Sequence, residues 1–249
     1  MDKHILQQIY LAAAGSGSLK VVKDCLKDGV AVDAVGSYDT TALLKAVFNG
    51  HLDVIQYILE QKADPNTQNN AGTSPLVFAA FKGNMELAEL LISHGATFEL
   101  QNAYGYTALM KAVQYDHFDM VKSLLAQGAD PDTRSDVAEV TALMIAVEMG
   151  YIEMAKYLIQ YGADTNLKDR FDDTVLEHAN HYAARNDLTG DYRKVFEQEI
   201  EKLKYNKSVR EQKAQDKIKQ DFKQSQSQIK KGMTKNKPQI KLRRRNPKL

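Results

Sequence analysis

A seven-residue phrase recurs five times along the chain: TALLKAV from Thr41, SPLVFAA from Ser74, TALMKAV from Thr107, TALMIAV from Thr141 and TVLEHAN from Thr174. The leading hydroxyl residues are 33, 33, 34 and 33 positions apart. Self-similarity at a fixed period of this size constrains the fold more than composition does. Each copy is one supersecondary unit that cannot bury its apolar face alone, and stacked copies bury it in a continuous core. The phrase recurs because each copy meets the same interface problem against the copy before it.

Each leading Ser or Thr reads as a helix N-cap, its hydroxyl accepting from a backbone N–H left unpaired in the first turn. Pro75 stands at the first helical position, where a missing N–H does no harm. A second helix follows, as in DMVKSLLAQ, with Val121, Leu124 and Leu125 on one apolar face. Gly128 closes it, and Gly29, Gly95 and Gly162 hold the same place in other repeats. Glycine takes the left-handed conformation that ends many helices. Lys62 holds this place in the second repeat, at a cost of about 1 kcal/mol. GADPDT, KADPNT and GADTNL then supply turn chemistry leading into a short extended finger.

The register extends in both directions. Counting back from Thr41 reaches Gln8, so an atypical first repeat covers about 3–35. Gly15–Gly17 is then an inter-helix turn, and Cys25 lies on an apolar face as a small buried hydrophobe rather than a reactive thiol. The remaining repeats span about 36–68, 69–101, 102–135, 136–168 and 169–203. In the last, Tyr192, Val195, Phe196, Ile200 and Leu203 keep helical spacing and read as a terminal cap, apolar inward and charged outward.

Residues 204–249 break the pattern. They hold 16 Lys/Arg against 3 Asp/Glu, which is +13, and leave 17 against 29, or −12, in residues 1–203. A segment this polar cannot offset its ordering entropy by burial, so a fraying helix followed by disorder is expected. Lys230, Lys231, Lys241, Arg243, Arg244 and Arg245 are the candidate contacts to a polyanion, either nucleic acid or an acidic lipid surface.

The repeated box, the Gly-His and Gly-Asn turns at Gly50–His51 and Gly83–Asn84, and the G-A-D-x-N close resemble the ankyrin repeat. That family pairs a β-turn finger with two antiparallel helices. The resemblance implies an all-α solenoid that binds proteins without catalysis. The box departs from the family's usual T-P-L-H. Its fourth place is Leu44, Val77, Met110, Met144 and Glu177, so apolar packing is expected in place of that histidine's inter-repeat hydrogen bonds. Asp116 stands where the inter-helix glycine is usual. The TALM form is similar to bacterial ankyrin boxes, which leaves open an effector acting in a host cell or an inhibitor of a captured target.

The resemblance also places partners across the finger tips and the exposed side of each first helix. By register, those positions hold Tyr38, Tyr104, Tyr106 and Phe171 from the fingers, and Phe48, Phe81, Tyr115 and Met149 from the helices. Aromatic side chains are enriched in binding hot spots because they bury large area with few rotors. A protein partner is therefore expected on this ridge.

No catalytic motif is present: no G-x-S-x-G, H-E-x-x-H, P-loop or Cys/His metal spacing. His178 and His181, three apart, can share a helix face, but Glu177 and His178 fall at box positions expected to be buried or to line the inner face and no third ligand is apparent, so neither a metal nor a cofactor is expected. One cysteine excludes an internal disulfide and fits a reducing compartment. No window of about 18 apolar residues indicates a transmembrane helix, and MDKHILQQIY lacks the apolar core of a signal peptide. A cytoplasmic monomer is the expectation, with secretion into a host cell or nuclear import left open.

Overall fold

The structure, a computed structural model, describes residues 2–186, 188 and 192–202. The six basic tail residues named above lie outside them. Residues 1–200 make one compact unit; of the second, 201–249, only Glu201 and Lys202 are described, both helical.

Helices come in pairs: α1 Lys3–Ser16 with α2 Leu19–Lys27, α3 Ala42–Asn49 with α4 Leu52–Glu60, and α5 Pro75–Lys82 with α6 Met85–Ser93. Next come α7 Ala108–Gln114 with α8 Phe118–Ala126, α9 Ala142–Glu148 with α10 Ile152–Tyr161, and α11 Val175–Arg185. A further helix, α12, spans 192–202 of the described residues. Contacts between successive repeats run mainly through the first helices: α1 on α3, α3 on α5, α5 on α7, α7 on α9 and α9 on α11.

The box residues build these seams. Leu43, Leu76, Leu109 and Leu143, at its third place, are buried, as are the fourth-place Leu44, Val77, Met110 and Met144. Packing thus occupies the site where a box histidine would hydrogen-bond. Inter-repeat hydrogen bonds return from a different position. His51 Nε2 donates to Gly15 O at 3.0 Å, and His117 Nε2 donates to Phe81 O at 3.0 Å.

Four of the five leading hydroxyls cap as expected. Thr41, Ser74, Thr107 and Thr141 each accept at 3.3 Å from the N–H three residues on. Thr174 caps α11 through a capping box with Glu177, whose carboxylate accepts from both the Thr174 hydroxyl and its N–H. A carboxylate in the first turn supplies the stronger acceptor, and Glu177 is held below the usual carboxylate range by these bonds. The first repeat also differs from its register. α1 runs back through Gln8 to an N-cap at Asp2, whose side chain accepts from His4 N–H.

The positions expected to be left-handed are so. Gly29, Gly95, Gly128 and Gly162 have φ of 88°, 94°, 105° and 117°, and Lys62 and Asp116 follow at 69° and 56°.

The fingers carry almost no strand; one isolated bridge joins Val35 and Thr41. Side chains do that work. Asn69, Asn102 and Asp169 each accept from two N–H groups of their own finger, fixing the turn locally. Ser135 accepts from Val140 N–H in the fifth-repeat finger. Ladders then join neighbouring repeats. Gln68 donates to Gln101 O, Gln101 to Arg134 O, and Arg134 to Lys168 O. Asp33, Asn66, Glu99 and Asp132 accept the N–H groups of Asp64, Thr97, Asp130 and Asp164, at 3.1, 2.8, 3.2 and 2.7 Å.

The 34-residue interval has a structural consequence. Adjacent fingers exchange a backbone bond in three places: Asn70 N–H to Tyr38 O, Ala103 N–H to Ala71 O, and Arg170 N–H to Ala138 O. Between the fingers of Tyr104 and Val137 the extra residue shifts the register, and Asp136 N–H donates to Gln101 Oε1 at 2.8 Å instead.

Candidate interaction surface

On α7 the exposed side meets the finger that precedes it, with Lys111 Nζ 6.0 and 4.8 Å from the ring centres of Tyr104 and Tyr106. Caps and ladders fix the fingers, so their side chains project from an ordered frame. Among the described residues, Tyr38, Tyr104 and Phe171 are the most exposed large apolar ones, at 78%, 72% and 75%. They alternate with Ala71 and Ala138 at the same place in the intervening fingers. Tyr115 and Met149 are also exposed.

The remaining ridge positions are half-buried. Phe48 and Phe81 pack across repeats through Phe78, which the register had not placed among the binding positions. Ring centroids lie 4.7 Å apart for Phe48–Phe78, 5.9 Å for Phe78–Phe81 and 4.6 Å for Phe81–Tyr115. One aromatic strip therefore crosses three repeats. Phe78 sits three residues before Phe81 on α5, the spacing that shares a helix face, and this was the available signal for it.

Lysines border the strip. Lys82 Nζ lies 4.8 Å from the Phe81 ring centre. Lys111 Nζ lies 4.8, 5.7 and 6.0 Å from the ring centres of Tyr106, Tyr115 and Tyr104, within cation–π range. It also donates to Gln114 Oε1 at 2.9 Å. Tyr106 is thus half-buried beneath an ammonium group rather than free at the tip, and burial raises its phenol pKa.

The other end of the row has a different character. His178 is buried, with Nε2 3.2 Å from Asp169 Oδ2, though not in hydrogen-bonding geometry, and Nδ1 3.9 Å from Glu148 Oε2. Arg185 also reaches Glu148, at 3.3 Å, and His181 Nδ1 lies 3.7 Å from Asp173 Oδ2. Among the described residues, no three His, Cys, Asp or Glu side chains are grouped to hold a metal ion. Cys25 is buried on α2, and burial pushes its thiol pKa up, away from the reactive thiolate. Among the described residues, no helix is long and apolar enough to cross a membrane.

Paired helices stacked at a fixed period, joined by capped fingers, define a helical-repeat solenoid. Family comparisons give it a narrower place. A model for three-copy ankyrin repeats matches residues 45–135 and 99–169, and one for many-copy ankyrin repeats matches residues 10–59. The chain belongs to the ankyrin repeat family. Ankyrin repeats are generally protein–protein interaction modules and typically non-catalytic, and no catalytic domain is evident in these matches. A comparison with curated proteins gave no match.

Proposed function

We propose that this protein is a non-catalytic scaffold that binds a partner protein across its finger tips and the exposed face of its first helices. The supporting observation is the continuous aromatic strip Phe48–Phe78–Phe81–Tyr115, flanked by exposed Tyr104. Folding alone leaves such a strip costly in water. Apolar surface gathered in one patch marks an interaction site more often than scattered apolar residues do. Tyr38 and Phe171 extend the contact along the fingers, and Met149 extends it along the helices.

The test is affinity capture with the parent chain and with a Tyr104→Ala, Tyr106→Ala variant. A partner held by the parent and lost by the folded variant supports the reading. A partner retained at full strength by the variant sinks it.

The basic tail favours a second contact, to a polyanion. Its +13 charge on 46 residues is concentrated enough to release counterions on binding. Affinity for a nucleic acid or an anionic vesicle should then fall steeply with salt, whereas partner capture on the aromatic strip should not.

A further inference from the structure

Some lysines on this molecule meet a carboxylate close by on the helix or finger. Lys122 pairs with Asp119 at 3.0 Å, Lys156 with Glu153 at 2.9 Å and Lys168 with Asp172 at 3.3 Å. Lys111 does not. Three and four residues on from it stand Gln114 and Tyr115, and four before it stands Thr107. Glu148, on the next repeat, is engaged by Arg185. Lys82 is flanked on its own helix by Phe78 and Ala79. No described carboxylate lies within ion-pair distance of either lysine, although residues 1–203 carry 29 acidic groups to 17 basic ones.

Lys111 is also half-buried, walled by three tyrosine rings, and desolvation lowers its pKa. Rings and one amide oxygen stabilise an ammonium group less than a carboxylate does. The site is therefore short of one negative charge, and the strip beside it is short of apolar cover.

We propose that the missing charge arrives with the partner: the exposed face of the first helices, hereafter the inner face, takes an acidic–apolar peptide segment, with a carboxylate on Lys111 Nζ between Tyr104 and Tyr115 and an apolar side chain on Phe78 and Phe81. Lys82 then guides a second acidic residue. This rests on the scaffold reading above and gives that partner a chemistry. A carboxylate fits better than a phosphate. A single ammonium balances one negative charge, and no arginine stands at the inner-face positions of α3, α5 or α7 to fork onto a dianion.

The experiment selects short random peptides on the immobilised full chain, then measures the recovered sequences, fluorescently labelled, by anisotropy. Recovered peptides should carry Asp or Glu beside an aromatic or aliphatic residue. Changing that acid to its amide should weaken binding at least about tenfold. Lys111→Gln should weaken the parent peptide comparably and abolish the distinction between acid and amide. Lys122→Gln should change nothing. The acid-to-amide comparison on the unaltered protein holds even where Lys111→Gln disturbs folding.

The proposal is overturned if no peptide is recovered, if recovered peptides are neutral or basic, or if acid and amide bind alike. It is also overturned if a phosphoserine in place of the acid binds more than about tenfold tighter, which assigns the site to phosphate. Loss of binding in Phe81→Ala but not in Lys111→Gln removes the acidic partner and leaves the inner face as the binding surface. Binding indifferent to both variants removes the inner face itself.

Discussion

Helices α3, α5, α7 and α9 each carry a buried face and an inner face, and the chain treats the two differently. On the buried face one pattern repeats: Ala42, Leu43, Leu44, Ala46 and Val47 in α3 become Ala108, Leu109, Met110, Ala112 and Val113 in α7. On the inner face the corresponding places hold Lys45, Phe48 and Asn49, then Phe78, Phe81 and Lys82, then Lys111, Gln114 and Tyr115. A face that must fit its own copy is held constant. A face that must fit something else is free to vary. α11 departs from the pattern: Glu177 stands at the apolar fourth place and Asn180 where α3, α7 and α9 have valine.

The strongest way to break this comparison is to cut the constant face. Leu109→Ala and Leu143→Ala should each cost roughly 2–5 kcal/mol in chemical denaturation, the range for truncating a buried leucine. Both side chains are buried, on first helices that pack against each other. A loss below about half a kilocalorie would mean that the box leucines do not carry the seam.

A finer cut separates two glycines with nearly the same backbone. Gly50 and Gly83 close α3 and α5 with φ of 76° and 65°. A Cβ at Gly50 meets nothing within 4 Å, whereas at Gly83 it comes within 2.7 Å of His117 Nδ1. The difference follows from sequence. Asn84 caps its own helix by accepting from Leu87 N–H, while the His117 ring reaches back to Phe81 O. Gly50→Ala should cost about 1–2 kcal/mol for the left-handed backbone alone. Gly83→Ala should cost about 1 kcal/mol more, because the His117 ring must move off its carbonyl. Equal melts for the two variants would show that the histidine bridge contributes nothing to that seam.

The two ends of the described stack can be compared through pH. Tyr10 and Tyr192 are both buried and donate to Val32 O and Val147 O at 2.9 and 2.8 Å. Burial holds both phenols well above their ordinary value of 10.0. Raised folded-state values mean that the folded chain keeps protons the unfolded chain loses. Their stabilisation is therefore complete below pH 10 and declines as pH rises beyond it. Thermal midpoints of the parent should fall above pH 10, and Tyr10→Phe with Tyr192→Phe should flatten that fall. An unchanged alkaline slope in the double variant would show that these phenols do not set it.

The period made the solenoid, the caps, the left-handed helix ends and the buried box legible before any coordinates, because each depends on residues close in sequence. What stayed hidden depends on the neighbouring repeat. Asp33, Asn66, Glu99 and Asp132 look like ordinary turn residues until the next repeat's N–H groups come within reach. His51 looks like a turn residue until its ring meets Gly15 O across 36 positions. Phe78 and Lys111 share one register place, four after the cap, whereas the expected helix positions Phe48, Phe81, Tyr115 and Met149 lie seven or eight after it. The strip and the tyrosine-walled lysine emerge once that place is added.

The smallest expected effect on stability should bring the largest effect on recognition. Tyr104 is 72% exposed, and its ring centre lies 6.0 Å from Lys111 Nζ, the longest of that lysine's three ring contacts. Tyr104→Ala should therefore change stability by no more than about 0.5 kcal/mol, as for a surface residue without close partners. In binding, the same ring stands at the junction of finger, lysine and aromatic strip, where a partner would bury it on several sides. Loss of affinity should be about tenfold or more, as for a central aromatic anchor. Tyr38→Ala and Phe171→Ala, equally exposed but away from Lys111, should lose less. Measuring all three variants by calorimetric melt and by anisotropy against a recovered peptide ranks them on both scales. Equal losses of affinity would place the contact along the fingers as a row rather than at the Lys111 centre.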